Sequence, residues 1–151
     1  MNRVSLGLAI LAFALPSTSH AEGGSLSLVV KGVRFSGGSI RADVCTPETF
    51  LKAVCEYSSS APALDGTTTI RFETLPAGVY AAQVYHDWND NHQVDRSVLG
   101  IPREGLGFSN DAPLGLHGPS FARAAFTHGV SPQTLTIDLH HFSPPPKGAE
   151  K

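Results

Sequence analysis

The chain has little charge of either sign and no long apolar run beyond its first residues. Its 11 Lys and Arg oppose 13 Asp and Glu, for a formal net charge of −2. This balance, without a basic cluster, argues against nucleic acid or an anionic membrane surface as a partner. No segment after the N-terminal region is long and apolar enough to cross a bilayer, so we expect no membrane span. The C-x-x-C redox motif and the G-x-S-x-G nucleophile elbow are also missing.

Cysteine is scarce as well, because Cys45 and Cys55 are the only two in the chain. In an oxidising compartment, two cysteines in one small domain usually pair. Their spacing does not match a redox motif. The sequence therefore favours a structural disulfide over a redox or metal-binding pair.

The first residues have the pattern of a secretory signal peptide. Arg3 gives a positive start, the apolar run 4–15 is too short to span a bilayer, and cleavage is expected after Ala21. We therefore expect an exported bacterial protein, located in the periplasm or secreted. The expected divisions are a signal peptide (1–21), one β-sandwich domain (22–142) and a disordered, proline-rich tail (143–151).

Alternating apolar and polar residues predict strands through most of the remaining chain. Gly and Ser residues between the first two strands suggest a hairpin, and helical signals are confined to short turns. Such a pattern predicts an all-β fold, a single antiparallel β-sandwich of immunoglobulin-like or prealbumin-like type, with a closed barrel as the alternative. One long irregular loop insertion would cover 87–119. The clearest predicted strands are 25–30, 39–45, 67–72, 78–86 and 134–140.

Oxygen-bearing side chains recur at near-alternate positions where this insertion begins. Calcium loops place ligands at positions 1, 3, 5, 7 and 9 of such a run. Two positions depart from that pattern, since His92 replaces the usual Gly and Val98 the usual bidentate Glu. Glu104 or Asp111 would then supply the missing carboxylate. The predicted calcium ligands are Asp87, Asn89, Asn91, Gln93, Asp95 and Glu104.

Three other interpretations of this region remain open. The loop could be an Asx-rich turn held by hydrogen bonds alone, without an ion. His86, His92 and one of His140 or His141 could bind zinc or copper if they met, although scattered surface histidines are the simpler expectation. Trp88, the single tryptophan, would stack on a sugar or anchor a partner if exposed, or else plug one end of the core.

An enzyme is the main alternative to a binding module. Ser109, His86 and Glu104 would form the polar centre of a hydrolase acting on an envelope substrate. The segment around Ser109 lacks the second glycine of a nucleophile elbow. A loop serine that bonds the backbone explains Ser109 more simply.

Several segments in order carry a family resemblance. They read Leu-Pro-Ala-Gly-Val-Tyr-Ala at 75–81, His-Asp-x-Asn-x-Asn-x-x-x-Asp at 86–95 and Leu-Gly-Ile-Pro-Arg-Glu-Gly-Leu-Gly-Phe-Ser-Asn at 99–110, and the segment 118–124 fits as well. The chain resembles the bacterial domain-of-unknown-function family 2141. The resemblance implies an exported β-sandwich-like protein with no established activity. This chain departs from the family pattern at His92, where a Gly is usual.

The Leu-Pro-x-Gly-x-Tyr element also resembles prealbumin-like and collagen-adhesin B-type modules, which are commonly stalks or binding domains. That resemblance implies that Leu75 enters the core, Pro76 and Gly78 form a turn, and Tyr80 starts the next strand. Taken together, we expect a non-enzymatic module whose calcium-ordered loop is the binding face for an envelope protein or glycan.

Overall fold

The computed structural model describes residues 22–52, 54–115 and 117–147. The expected signal peptide and the last four residues of the expected tail lie outside these ranges. Among the described residues, no helix is both long and apolar enough to cross a membrane. The elements are β1 (Gly23–Val33), β2 (Ser39–Cys45), β3 (Tyr57–Pro62), β4 (Gly66–Pro76), β5 (Gly78–Asp87), β6 (Leu106–Phe108), a 3-10 turn (Ser109–Asp111), α1 (Phe121–Ala124), β7 (Ala125–His128) and β8 (Gln133–Asp138).

The strands form two sheets that pack face to face, which confirms the predicted β-sandwich. One sheet has the order β4-β1-β8, and the other has the order β3-β2-β5-β6, with β7 also paired to β5. All pairs are antiparallel except β1 with β8, which is parallel. The long irregular insertion predicted from the sequence runs from the end of β5 to β6 and on to α1.

The hairpin predicted between the first two strands is wrong. β1 pairs with β4 and β8, whereas β2 pairs with β3 and β5, so the link crosses from one sheet to the other. Both strands bury alternate residues, and each buried face must meet the opposite sheet. Gly38, at φ +66°, turns the chain into β2 where its Cα approaches the backbone of Asp87.

The core lies between the sheets and is built from the faces that the alternation predicted. Ile40 and Val44 are fully buried on β2. Ile70 on β4 and Ile137 on β8 are buried in the same core from the opposite sheet. Leu75 also enters the core, and the Tyr80 hydroxyl donates a hydrogen bond to the Pro76 carbonyl at 3.1 Å across the turn. This turn passes the chain from one sheet to the other.

The disulfide predicted between Cys45 and Cys55 is confirmed. It closes the segment after β2, which forms a hydrogen-bonded turn in which the Phe50 N–H donates to the Thr46 carbonyl at 3.0 Å. Both sulfurs belong to a second apolar cluster beneath the long loop, with Phe50 and Phe108 as its aromatic members. The bridge therefore ties the end of β2 to the floor of that loop.

Replacing both Cys45 and Cys55 with alanine is expected to lower the free energy of unfolding by about 2–3 kcal/mol, because the closed loop restricts the unfolded chain. Urea unfolding of the double variant and of the reduced wild type should show the same loss. A stability equal to that of the oxidised wild type would contradict this prediction.

Candidate functional site

The loop that follows β5 curls back onto its first residue. Asp87 is fully buried. Its carboxylate accepts the N–H of Asn91 at 3.0 Å and the N–H of His92 at 2.9 Å. Asp90 and His92 both have positive φ, at 53° and 66°. His92 thus adopts the left-handed conformation for which glycine is usual, and the Asp87 carboxylate stabilises that turn.

The asparagines of the run connect its two ends. The side-chain amides of Asn89 and Asn91 each donate to the Asp95 carboxylate at 2.9 Å. Their oxygens accept the backbone N–H groups of Asn91 and Gln93, at 3.2 and 2.9 Å. The alternate spacing seen in the sequence therefore produces a chain of Asx turns closed by one carboxylate.

Glu104 joins this loop from outside the Asx run. Its side chain is only 1% exposed, and its two oxygens accept the backbone N–H groups of Trp88, at 3.2 Å, and Asp95, at 3.0 Å. Burial raises the pKa of Glu104 to about 7. The two N–H donors lower the pKa, while the Asp95 and Asp87 carboxylates raise it further. Glu104 therefore brings a third, poorly solvated carboxylate to the same loop.

The positive charge near these carboxylates is small. Arg41 lies 3.9 Å from Asp87, between its Nε and Oδ2 atoms, and this is the only ion pair that Asp87, Asp95 or Glu104 makes among the described residues. Asp111, the alternative source of a carboxylate, lies elsewhere and pairs with His140 at 2.7 Å. Across residues 22–52, 54–115 and 117–147, no three His, Cys, Asp or Glu side chains are already arranged around one point. An ion would therefore have to open the hydrogen bonds between the asparagines and Asp95.

Two aromatic contacts hold the base of the loop. His86 bonds the Gly37 carbonyl through Nε2 at 2.7 Å, and burial lowers its pKa. Its ring packs on Phe35, with ring centroids 4.7 Å apart, and Phe35 also stacks on Trp88 at 6.4 Å. Trp88 is half-buried, so it is neither a fully exposed platform nor a core plug. The contribution of Phe35 was not predicted from the sequence, because Phe35 lies more than fifty residues before Trp88.

The three side chains of the hydrolase alternative serve separate structural roles. Ser109 is fully buried, where its hydroxyl accepts the Ala82 N–H at 2.9 Å and donates to the Ala124 carbonyl. In the part of the chain that the structure describes, no hydrogen bond joins any two of Ser109, His86 and Glu104.

The histidines considered as zinc or copper ligands also have separate partners. His140 bonds Asp111, and His141 bonds the Gly32 carbonyl at 2.7 Å. His92 is exposed at the tip of the Asx turns. The structure therefore does not bring these histidines together around one metal ion.

An open polar groove of about 710 Å³ lies between the loop and the outer face of the second sheet. The loop supplies His92, Gln93 and Val94 as one wall. Arg41 and Tyr85 line the sheet side. Asp43 is held there by Ser58 at 2.6 Å and Gln83 at 3.1 Å. Sequence reasoning missed this groove because its walls are joined only by the pairing of β2, β3 and β5.

Comparison with known proteins gives one family match and two distant structures. The model of the family described as "Uncharacterized protein conserved in bacteria" (DUF2141) matches residues 28–136. Two structures of a pilus-presented adhesin (Cpa) are 15% identical and cover 82% and 83% of this chain, with TM-scores of 0.29 and 0.27. The chain spans 28% of the length of each adhesin chain. No curated protein matches the sequence.

Proposed function

This chain belongs to the DUF2141 family of uncharacterised bacterial proteins, and we propose that it is an exported, non-enzymatic module whose loop between β5 and β6 binds calcium. The ordered loop would present a binding face to a protein or glycan of the bacterial envelope. The family resemblance seen in the sequence is thereby confirmed, while the ion and the partner belong to the proposal.

The buried carboxylate of Glu104 is the observation that supports this proposal most directly. It lies on the same loop as Asp87 and Asp95, and Arg41 is the one cation paired with this group among the described residues. Like charges in a poorly solvated site disfavour ionisation, and a bound divalent cation would relieve that penalty. Calcium suits this donor set because it prefers carboxylate, amide and backbone carbonyl oxygens.

The loop supplies the oxygen atoms that such an ion would need, although no three acidic or histidine side chains of the described residues already surround one point. The side-chain amides of Asn89 and Asn91 are already bonded to the Asp95 carboxylate, and the Asp87 carboxylate accepts the backbone N–H of Asn91. Glu104 accepts backbone N–H groups at both ends of the run. Rotation of the two asparagine amides would replace their N–H donors with oxygen ligands. The backbone carbonyl of Gln93 occupies position 7 of the run, where calcium loops use that group.

The disulfide supports export. Structural disulfides persist in oxidising compartments, such as the periplasm and the extracellular space. Cys45 and Cys55 are bridged, which agrees with the signal-peptide pattern of the first 21 residues. The proposed location is therefore the periplasm or the outside of the cell.

The polar groove beside the loop supports a binding role. A bound ion would fix His92, Gln93 and Val94 as one wall, opposite Arg41 and Tyr85 on the sheet. Fixing one wall in advance reduces the entropy lost when a partner binds. The hydrolase alternative has less support, because Ser109, His86 and Glu104 each bond backbone groups.

Calcium is expected to raise the unfolding temperature by several degrees and to saturate, with unfolding followed by Trp88 fluorescence in chelator and then in millimolar calcium. At 100 times the dissociation constant, a ligand that binds only the folded state contributes about 2.7 kcal/mol. Asp87→Asn should abolish the response, because it removes a carboxylate while the residue keeps nearly the same shape.

Asp138→Asn is the matched control, since Asp138 is an exposed aspartate on β8. It should respond to calcium like the wild type. Magnesium, which demands a tighter octahedral site, should give a smaller shift. An Asp87→Asn variant that keeps the full calcium response, or a wild type with none, would overturn the proposed site.

A further inference from the structure

Residues 96–103 form a small hairpin within the long loop, between Asp95 and Glu104. Arg96 and Pro102 pair as an isolated antiparallel bridge. The Ser97 N–H donates to the Ile101 carbonyl at 2.9 Å, and the Gly100 N–H donates to the Ser97 carbonyl at 2.9 Å. Gly100 has φ +77°, as this turn requires. The hairpin is closed by its own backbone hydrogen bonds.

The apex of this hairpin is apolar and projects into solvent. Val98 is fully exposed, Leu99 is 80% exposed and Ile101 is 44% exposed. A Cβ atom placed on Gly100 would meet nothing within 4 Å. Three large apolar side chains on one turn form a contiguous exposed patch, and such patches mark interaction sites, whereas single exposed apolar residues do not.

The apex borders a groove of about 540 Å³ that is lined by both apolar and polar side chains. Its lining includes Leu51, Leu99, Leu106, Phe108, Leu114 and Phe142. Phe142 is half-exposed at the edge of the groove, and the residue after it, Ser143, donates to the Pro102 carbonyl at 3.2 Å. The groove is of mixed character, because Arg96 and His117 also line it, and its apolar side chains adjoin the exposed apex at Leu99 and Ile101.

Charge near the hairpin is segregated by sign. Arg96 and Arg103 are exposed where the hairpin begins and ends, and the Arg96 guanidinium donates to the Gly100 carbonyl at 3.1 Å. Arg34 donates to the Ser143 carbonyl at 3.2 Å, beside the same hairpin. Among the described residues, none of these three arginines pairs with a carboxylate. The neighbouring acids face inward, since Glu104 is buried and Asp95 is bonded to the asparagines. The net charge of the whole chain is −2 and argues against binding to an anionic surface, but it does not show that positive side chains are grouped around this hairpin.

We propose that this hairpin is a membrane-docking tip, which inserts Val98, Leu99 and Ile101 into the headgroup region of an anionic phospholipid bilayer. A protruding apolar apex needs no matching pocket in a fluid interface, whereas a protein partner would have to supply one. Among the described residues, no carboxylate neutralises the three arginines, although Arg96 and Arg34 each donate to a backbone carbonyl. Their charges would meet lipid phosphates, and such cations bind anionic bilayers near their surface. The tip would hold the module on a membrane surface without spanning it.

Co-sedimentation with vesicles tests this proposal. The chain from residue 22 onward would be mixed separately with phosphatidylglycerol vesicles and with phosphatidylcholine vesicles. We expect binding to the anionic vesicles and at least ten-fold weaker binding to the neutral ones. V98D/L99D should reduce binding to the anionic vesicles by at least ten-fold. Arg103→Gln should weaken it by about five-fold, because one cation near such a surface is worth about 1 kcal/mol.

V54D/V130D is the matched control, because it adds the same two charges at exposed valines elsewhere on the surface. It should bind like the wild type. Equal binding by V98D/L99D and the control would overturn the docking tip, as would no binding of the wild type to anionic vesicles. Self-association that V98D/L99D abolishes, without vesicle binding, would assign the apex to a second copy instead. Binding should persist in chelator, so this test stands apart from that of the calcium site.

Discussion

Gly38→Ala is expected to destabilise the protein by about 3 kcal/mol or more, the largest loss among the substitutions considered. Gly38 has φ +66°, and a Cβ atom there would lie 2.1 Å from the Asp87 carbonyl oxygen and 2.6 Å from the Trp88 Cα. Both neighbours are backbone atoms at the end of β5, so they cannot rotate away as a side chain would. β2 would have to separate from β5 at the base of the loop. Urea unfolding would measure the loss.

Gly66→Ala separates the backbone strain from the clash. Gly66 also has a positive φ, at +84°, but a Cβ atom there would meet nothing within 4 Å. Its loss should be about 1 kcal/mol, which is the cost of a left-handed conformation for a residue with a Cβ atom. Equal losses for the two variants would show that the close approach at Gly38 has no energetic weight. The calcium response should weaken in Gly38→Ala and stay unchanged in Gly66→Ala.

The sequence predicted which faces of the strands are buried better than which strands are neighbours. Ile40, Ala42 and Val44 alternate with polar residues along the predicted strand 39–45, and all three are buried. The same alternation is silent on pairing, because any strand with one apolar face fits either sheet. The hairpin between β1 and β2 was wrong for this reason, and the parallel pairing of β1 with β8 joins residues more than one hundred positions apart.

Two strands had no clear signal at all. β3 is a serine-rich edge strand without the apolar alternation that marks a half-buried one. β6 has only three residues, and all of them are buried, so no alternation can be seen. Both are fixed by pairing with a stronger neighbour, β2 for β3 and β5 for β6. Local sequence cannot reveal an element that exists only through a partner.

At the candidate site, the Asx spacing predicted a calcium loop or an Asx-rich turn, and the missing carboxylate was expected from Glu104 or Asp111. In the structure Glu104 joins the loop, while Asp111 pairs with His140. The supports come from distant parts of the chain, since Phe35 stacks on Trp88 and Arg41 pairs with Asp87. Phe35 lies on the link that crosses from one sheet to the other, and Arg41 reaches Asp87 through the pairing of β2 with β5. Neither the crossing nor this pairing was predicted from the sequence.

Glu104 should make the chain more stable as the pH falls from about 8.5 to 5.5 in the presence of chelator. Its pKa is about 7 in the folded chain, against an ordinary value of 4.5. The folded state therefore binds more protons than the unfolded state in this window, and stability falls as the pH rises. The expected difference across the window is about 2 kcal/mol, which urea unfolding at each pH would measure. Saturating calcium should flatten the profile, because the ion replaces the proton as the partner of the carboxylate.

Glu104→Gln is the variant that isolates this effect. The amide has no titrating proton, but its NH2 group cannot accept one of the two N–H groups that Glu104 accepts. The variant should therefore be less stable than the wild type at about pH 5.5 but should not lose further stability to this group as the pH rises. His86 and His141, whose pKa values are lowered by burial, act in the opposite direction below about pH 6.5. Both histidines remain in the variant, so the difference between the two profiles belongs to Glu104. Parallel profiles would contradict the raised pKa. A flat profile combined with an intact calcium response would instead show that Glu104 is buried in the loop without contributing to the ion.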